Sequence, residues 1–590
     1  MCGITGIINH ELFSNIKMMV EAQKRRGPDN TCSRVYPSIS SALGHNRLSI
    51  IDLSENSNQP FCGNNEKYTI VFNGEIYNYK ELKVCLEEKG HIFKTESDTE
   101  VALNSFIEWG AECLHRFRGM FAFAILNLSS SEVFLARDRF GIKPLVYSQV
   151  GESLIFASEI KAILASNLVN RKIRKEAVNE YLSRGSVHQP ATFFENIMFL
   201  PAGHYGFFNK GNLILSKYWD IYDETKDRKK EFLNLSYLDA KNELRLKLEE
   251  ATRYHLVSDV KIGAFLSGGI DSTAVVGLMK QLVPTQIDTF TIGFGSDYSN
   301  LNEVHYAKAA AEFLKVKNTD FVLTQDEVEK DIPDFLYAID QPTVDGLNTF
   351  YASKLASNDV KVVLSGLGGD EIFAGYPHFA TIEKFSNLSK NGLSNSSFNV
   401  LDKLKVKSIS GRLDKTLKLL LGDRAKRLST IRQYFSDYEI KEILNASEFY
   451  CTDWEIHRET IIRNSYREDL DIIDQISYYE INNYLVDCLL RDSDLMAMHF
   501  GLELRPVLLD HDLAEFVFAL PSSFKYDGFT HKKIFIDAVQ DLVPKEVLNR
   551  RKVGFELPLS DWASKISGKL NGRQNKNWQL MILDYYLKSR

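Results

Sequence analysis

The chain is short of the features that mark secreted, membrane-spanning and nucleic-acid-binding proteins. Its seven cysteines (2, 32, 62, 85, 113, 451 and 488) are scattered over 590 residues, with no C-x-x-C among them. An odd, sparse set argues against a disulfide framework and suits a reducing cytoplasm, the expected location. Apolar runs such as Phe121–Leu126 and Ile262–Leu266 are far too short to span a bilayer, so no membrane segment is expected. The start, Met1-Cys2-Gly3-Ile4-Thr5-Gly6, has neither the basic region nor the apolar stretch of a secretory signal. Lys+Arg number 71 against 78 Asp+Glu, a net charge of −7, which leaves no basic footprint for nucleic acid or anionic lipid. Internal repeats and low-complexity tracts are lacking too. With 44% hydrophobic and 25% charged residues the composition is that of a globular protein. The length exceeds what one core supports, so two or more domains are expected.

The first third reads mostly as β. Tyr68–Phe72, Phe121–Leu126, Val133–Ala136 and Leu154–Ala157 are short apolar strands bounded by turn residues, with a hairpin connection at Asn127–Ser131 and helical periodicity over Glu100–Arg116. From Asp223 to Leu235 the chain is polar and charged, as expected of an interdomain linker, and Ser236 then caps a helix running to about His255. Next, strands (Lys261–Leu266, Asp288–Phe294, Asp320–Leu323, Lys361–Leu364) alternate with helices (Ser272–Gln281, Asn302–Leu314, Leu347–Ser357), which predicts a parallel, doubly wound sheet. Beyond Tyr376 the pattern is helical, with a Ser/Asn-rich surface loop expected at Ser386–Asn399.

Cys2 follows the initiator. Were Met1 removed, one residue would carry both a thiol and an α-amine with a pKa near ~8 that can take the thiol proton. Alone this would be only a small residue at a terminus. It stands, however, before Arg26-Gly27-Pro28-Asp29, Gly44-His45-Asn46-Arg47-Leu48-Ser49-Ile50-Ile51-Asp52, Asn73-Gly74-Glu75-Ile76-Tyr77-Asn78 and Ser97-Asp98-Thr99-Glu100. In this order the five motifs closely resemble the glutaminase domain of asparagine synthetases, an N-terminal-nucleophile fold, and the resemblance extends over nearly the whole chain. It implies Cys2 as nucleophile, Asn73 and the Gly74 N–H as oxyanion donors, and a glutamine site of Arg47, Leu48, Ser49, Ile50, Ile51, Asn73, Gly74, Glu75 and Asp98. The residue types fit: a guanidinium pairs with an α-carboxylate, and Asp98 and Glu75 neutralise an α-ammonium. Arg25 stands where the family often has His.

Ser267-Gly268-Gly269-Ile270-Asp271-Ser272 follows a predicted strand and opens a helix, a context in which backbone N–H groups hold phosphate. It is not a Walker loop. It resembles the loop of ATP pyrophosphatases, implying that ATP is split to AMP and pyrophosphate, with Leu266, Ser267, Gly268, Gly269, Asp271, Ser272, Ile292, Ser365 and Gly366 at the nucleotide. In Ser365-Gly366-Leu367-Gly368-Gly369-Asp370-Glu371, the residues Leu367, Asp370 and Glu371 fall where the acyl-adenylate would form, and Asp271 and Asp370 are the candidates for Mg²⁺. Arg491–Asp494, Glu503–His511 and Arg550–Phe555 also match the family, and Lys532 corresponds to its adenylate-site lysine, with Lys533 a register slip away.

Two departures bear on the acceptor. Many asparagine synthetases have Glu where this chain has Leu367, and Asp340–Thr349 differs from the best-known aspartate-binding pattern. The expectation is an N-terminal-nucleophile α/β/β/α sandwich over residues 1–215, a linker at 216–237, and a doubly wound parallel α/β synthetase domain with added helices over 238–590. Substrates are glutamine, ATP and aspartate, or another carboxylate such as a sugar acid; the resemblance leaves a homodimer open. A glutaminase whose second domain only binds nucleotide is disfavoured by the Ser267–Ser272 loop, Asp370 and Lys532.

Overall fold

Along Gly119–Asn127, Ala122, Ala124 and Leu126 face one way and Phe121, Phe123 and Ile125 the other, and both sets are buried. A strand buried on both faces needs a layer on each side. The computed structural model describes residues 2–63, 66–294, 303–390, 415, 418–419, 422–445, 447–451, 458, 460–462, 464–550 and 576–588, and it supplies those layers. β1 (Gly3–Ile8), β2 (Asn30–Tyr36), β3 (Ser41–Arg47), β7 (Val146–Val150), β8 (Ser153–Ala157) and β9 (Met198–Phe199) form a six-stranded sheet in the order β2-β3-β1-β8-β7-β9. β4 (Tyr68–Ile76), β5 (Gly119–Asn127), β6 (Val133–Arg137), β10 (His204–Asn209) and β11 (Asn212–Lys217) form a five-stranded one, β11-β10-β6-β5-β4. Pairing is antiparallel throughout both sheets.

The sheets stack through Ile4, Ile8, Leu43 and Phe156 of one and Val71, Ala122, Ala124 and Leu135 of the other. Helices Ile16–Ala22 and Ile160–Ala165 cover the outer face of the first, packing Met19, Val20 and Ile163 near Ile7 and Ile155. Helices Tyr79–Glu88 and Asp98–Trp109 cover the second with Leu82, Leu86, Val101 and Leu103. The expected α/β/β/α sandwich is present.

The second sheet system is parallel, β12 (Ile262–Phe265), β13 (Asp288–Phe294), β14 (Lys317–Leu323), β15 (Val362–Ser365) and β16 (Glu503–Pro506), in the order β14-β13-β12-β15-β16. The order reverses between β12 and β15, so loops leaving the carboxyl ends of these two strands flank the crevice where ligands bind in such sheets. Four of the five strands were legible in the sequence; the short edge strand β16 was not.

Three local expectations need correcting. The helix over Glu100–Arg116 is broken: Ser97 caps Asp98–Trp109 by accepting from Thr99 N at 3.1 Å, and Gly110, at φ +58°, ends it. The polar stretch Asp223–Leu235 carries a helix, Ile221–Glu231, whose N-terminus Asp220 caps through Tyr222 N at 2.9 Å, while Lys229 pairs with the buried Asp474. Residues 386–390 of the expected Ser/Asn-rich loop continue the helix Pro377–Lys390, and 391–399 lie outside the described residues.

The halves meet through buried charge. Arg26, 1% exposed, pairs with Glu159 at 3.1 Å and with Asp494 of the helix Arg491–His499 at 2.8 Å, and Lys143 reaches the same Asp494 at 3.4 Å. Arg118 grips Asp510 with two bonds of 2.7 and 2.8 Å. A charge left alone in such a place costs about 3–5 kcal/mol. Asp494→Ala leaves Arg26 with Glu159 alone and takes this carboxylate from Lys143, and should therefore lower the unfolding free energy measured in urea by up to that order, whereas Asp512→Ala, at a half-exposed partner of Arg118, should change it little.

Candidate active sites

The thiol residue precedes β1, and the β1–β3 register, Gly3 opposite Asn46, sets Cys2 beside Arg47. Cys2 is buried; its nitrogen donates to Asn73 Oδ1 at 3.0 Å, and its carbonyl accepts from Arg26 Nε at 3.0 Å. Burial pushes the Cys2 thiol up, while the Leu48 backbone N–H and the Arg47 guanidinium pull it back. Asn73 Nδ2 is buried with no hydrogen-bond partner among the described residues. Such a donor awaits an acceptor, and an oxyanion formed at the thiol would be one. The next residue has to be glycine: a Cβ on Gly74 would lie 2.2 Å from Met120 O on the paired strand. His45, the nearest histidine on β3, is bonded to Phe72 O at 3.2 Å and held down to about 3 by burial, so it stays neutral and is a poor base.

Around the thiol stand the other expected residues. Arg47 donates from Nη1 to Ser54 O at 2.7 Å and Asn58 Oδ1 at 2.9 Å, and from Nη2 to Asp52 O. Asp98 accepts from Ile76 N at 3.0 Å, and burial pushes it up to about 6. Glu75 is pushed up by burial and by Glu503, with Arg505 opposing. The segment Leu48–Ile51 is held from both sides: Ser49 N donates to Asp29 Oδ2 at 2.7 Å, Asp259 N to Ile50 O at 3.0 Å, and Asp52 N to Asp259 Oδ2 at 2.8 Å.

At the other end of the parallel sheet, the loop after β12 is closed on itself. Ser267 N donates to Ser272 Oγ at 3.2 Å, and Gly269 N to Ser267 Oγ at 3.3 Å, before the thirteen-residue helix Ile270–Leu282 begins. Leu266 and Ile292 are buried beneath, tied through Leu266 O, which accepts from Thr291 Oγ1 at 2.7 Å. The loop after β15 presses against it so closely that a Cβ on Gly366 would lie 2.8 Å from Asp271 Cβ. Lys532 joins the two, with Nζ 2.5 Å from Asp271 Oδ2 and 2.6 Å from Asp370 Oδ1. Burial would lower its pKa, but the two carboxylates outweigh that and raise it. Lys533 points away to Asp527 at 3.0 Å. Leu367 packs against the main core with its N–H on Ser365 Oγ at 3.2 Å, and Glu371, 1% exposed, accepts from Tyr376 OH at 2.5 Å.

Within the Asp340–Thr349 segment, Asp340, Gln341 and Val344 reach the first half. Asp340 accepts from Lys161 N at 2.9 Å and from Ile160 N, Gln341 Oε1 accepts from Phe193 N at 2.8 Å, and Val344 N donates to Gly185 O at 3.0 Å. These residues serve the contact with the first half. The sequence reading gave no role to Arg26, Arg505 or Arg550. Arg550 pairs with Glu303 at 2.9 Å, its Nη2 3.7 Å from where a Cβ on Gly269 would be. All three lay in quoted motifs, and that was the available signal; residues 551–555 lie outside the described residues.

Residue Asp259 precedes β12, and Lys361, which precedes β15, pairs with Asp29 at 2.8 Å. The thiol site therefore sits at the amino ends of the strands and the glycine loops at their carboxyl ends. From Lys361 to Leu367 the extended chain covers roughly 20 Å.

A cysteine at position 2 on a double antiparallel sandwich, joined to glycine loops at the switch point of a parallel sheet, defines a fused amidotransferase and nucleotide-using ligase. Residues 1–219 match the family described as glutamine amidotransferase domain, and residues 243–583 the one described as asparagine synthase. Asparagine synthetase (glutamine-hydrolyzing) 1 of Bacillus subtilis (strain 168) is 31% identical over 580 residues, 95% of this chain and 88% of the relative. Amidase chry2 of Gibberella zeae is 27% identical over 616 residues, 95% of this chain and 90% of that one. The solved glutamine phosphoribosylpyrophosphate amidotransferase from B. subtilis has a TM-score of 0.28 at 15% identity, covering 63% of this chain and 77% of that chain. The chain belongs to the glutamine-hydrolysing asparagine synthetase family, ATP-dependent carbon–nitrogen ligases. Among the described residues no helix is long and apolar enough to cross a membrane.

Lys532→Gln should cut synthesis from either nitrogen source by about 10²–10³-fold, the usual cost of one oriented charge-stabilising group, and spare glutamine hydrolysis. Lys533→Gln should stay within a few-fold of wild type. Steady-state assays of both half-reactions read the contrast; equal losses in the two variants would contradict the assignment of Lys532.

Proposed function

We propose that the protein hydrolyses glutamine at Cys2, passes ammonia between its halves, and uses it at the Asp271–Asp370–Lys532 site to turn aspartate into asparagine. The supporting observation is the Cys2 nitrogen on Asn73 Oδ1 beside Asn73 Nδ2, which has no hydrogen-bond partner among the described residues. With Met1 removed, that nitrogen is an α-amine. It takes the thiol proton as sulfur attacks the amide carbon, Asn73 Nδ2 and the Gly74 N–H receive the oxyanion, and the proton leaves with ammonia. Water then cleaves the thioester to glutamate. Arg47, Asp98 and Glu75 hold the substrate's charged groups.

In the second half an acceptor carboxylate oxygen attacks the α-phosphorus of ATP, and pyrophosphate departs. Ammonia then attacks the acyl carbon and AMP leaves, its developing charge faced by Lys532. The glycine loops lack the lysine of a γ-phosphoryl-transfer motif, so the products are AMP and pyrophosphate. Glu371 is a carboxyl able to take the proton that ammonia loses.

The donors fit Mg²⁺. Asp271 Oδ1 is buried without a hydrogen-bond partner among the described residues, and one or two carboxylates plus phosphate oxygens is the usual magnesium environment. Asp271 and Asp370 would hold the ion, which would neutralise phosphate charge. The seven cysteines are free thiols, which supports a cytoplasmic setting.

A second reading is the same chemistry on another carboxylate, such as a sugar acid. It is supported by Leu367 and by the commitment of Asp340, Gln341 and Val344 to the contact between the halves. Incubating the protein with glutamine, ATP and candidate acids, and assaying pyrophosphate and AMP, separates the readings. Cys2→Ala should lose glutamine-dependent synthesis and keep synthesis from free ammonia; retained use of glutamine would remove Cys2 as nucleophile.

Leu367 is proposed to shape the acceptor pocket. A general base is typically worth ~10²–10⁴-fold, so if one were merely missing, Leu367→Glu would raise kcat. A carboxylate buried beside the acceptor's own carboxylate should instead weaken acceptor binding. The expected result is a higher acceptor KM with no gain in kcat, and a clear rise in kcat would refute it.

A further inference from the structure

Glu75 is two residues beyond Asn73 on β4, so both side chains emerge on the same face. Its carboxylate is met from the other half of the molecule. Arg505, on β16 and 0% exposed, has Nη2 3.5 Å from Glu75 Oε2. The rest of its guanidinium is committed: Nε to Glu503 Oε1, and Nη1 to the carbonyls of His255 and Val257 at 2.7 Å each. The fork is thereby locked in one orientation, with its last nitrogen aimed at Glu75. Arg505 Nη2 and Glu75 Oε2 are buried, and neither makes a hydrogen bond among the described residues. What links them is charge across 3.5 Å, in a site with little water to screen it. Arg505 also pairs in register with Leu364 of β15, the strand that leads into the Gly366–Glu371 loop.

We infer that Arg505 is a positioning residue for the glutamine half-reaction, contributed by the synthetase half: it holds the Glu75 carboxylate where the α-ammonium of glutamine binds. The inference rests on the glutamine site proposed above. It explains why a guanidinium is buried at the edge of a parallel sheet with one nitrogen left without a hydrogen bond, and it makes the glutamine site incomplete without the second half. The other charged or titratable groups of the described residues that face Glu75 include Glu503, Asp98, Cys2, Tyr77 and Tyr79. Removing Arg505 leaves Glu75 among like charges, so its titration moves to higher pH.

The test is KM for glutamine as a function of pH in the full-length Arg505→Met and Arg505→Lys enzymes, with ammonia-dependent synthesis as the measure of an intact second half. In Arg505→Met, KM for glutamine should rise roughly tenfold at neutral pH, the order expected when a buried charged group loses its partner. It should recover as pH is raised, while kcat with ammonia stays within a few-fold of wild type. Arg505→Lys keeps the charge but loses the fork to the two carbonyls, and should retain most of the wild-type KM profile. In the Glu75→Gln background, Arg505→Met should add little, because the two act through one another. Parallel losses in both half-reactions, equal failure of Lys and Met, or additive effects with Glu75→Gln would each overturn the inference. If Arg505→Met does not accumulate as folded protein, the Arg505→Lys profile and the Glu75→Gln pair with Arg505→Lys decide it. Failure of the underlying glutamine site looks different: Cys2→Ala would then keep its use of glutamine.

Discussion

The two halves are held in one relation by charges that neither half can bury alone. Arg26 and Arg118 belong to the sandwich, and their carboxylate partners Asp494 and Asp510 to the second half. Arg505 belongs to the second half, and its Glu75 contact to the sandwich. An apolar interface tolerates sliding; buried ion pairs do not, because a small displacement leaves a desolvated charge without its partner. The cost of that error fixes the docking, and through Arg26 Nε on the Cys2 carbonyl it also fixes the thiol.

The parallel sheet then acts as a spacer. Its amino ends receive the sandwich through Asp259 and Lys361, and its carboxyl ends carry the glycine loops. Strand length thus sets the distance between the chemistries. Ammonia is a small neutral molecule that is lost to protonation in water, so a fixed, enclosed relation between the halves has chemical value. Tyr77, Met120 and Ile142 of the first half and His255 and Leu509 of the second meet around a small cavity on this boundary.

Much of both candidate sites was legible because backbone geometry and residue type act locally. Gly74 must lack a Cβ where β4 passes Met120 O, and Gly366 where the loop after β15 passes Asp271, and such demands leave fixed letters in the sequence. Strand β5 was visible because both its faces are apolar. Edge strand β16 was hidden: it has four residues, two of them the charged Glu503 and Arg505, which by pattern belong on a surface. The helix Ile221–Glu231 was read as linker for the same reason, since its charges find partners such as Asp474 only in the folded protein.

By itself the sequence determined the two-part architecture, the family and the reaction class, because strand periodicity, glycine positions and the ordered motifs depend on near neighbours along the chain. The tertiary structure alone decided which lysine reaches Asp271 and Asp370, that Asp340, Gln341 and Val344 bind the first half, and that Arg505 reaches Glu75. Those assignments join residues hundreds of positions apart, and their physical cause is the burial of charge, which sequence spacing does not encode.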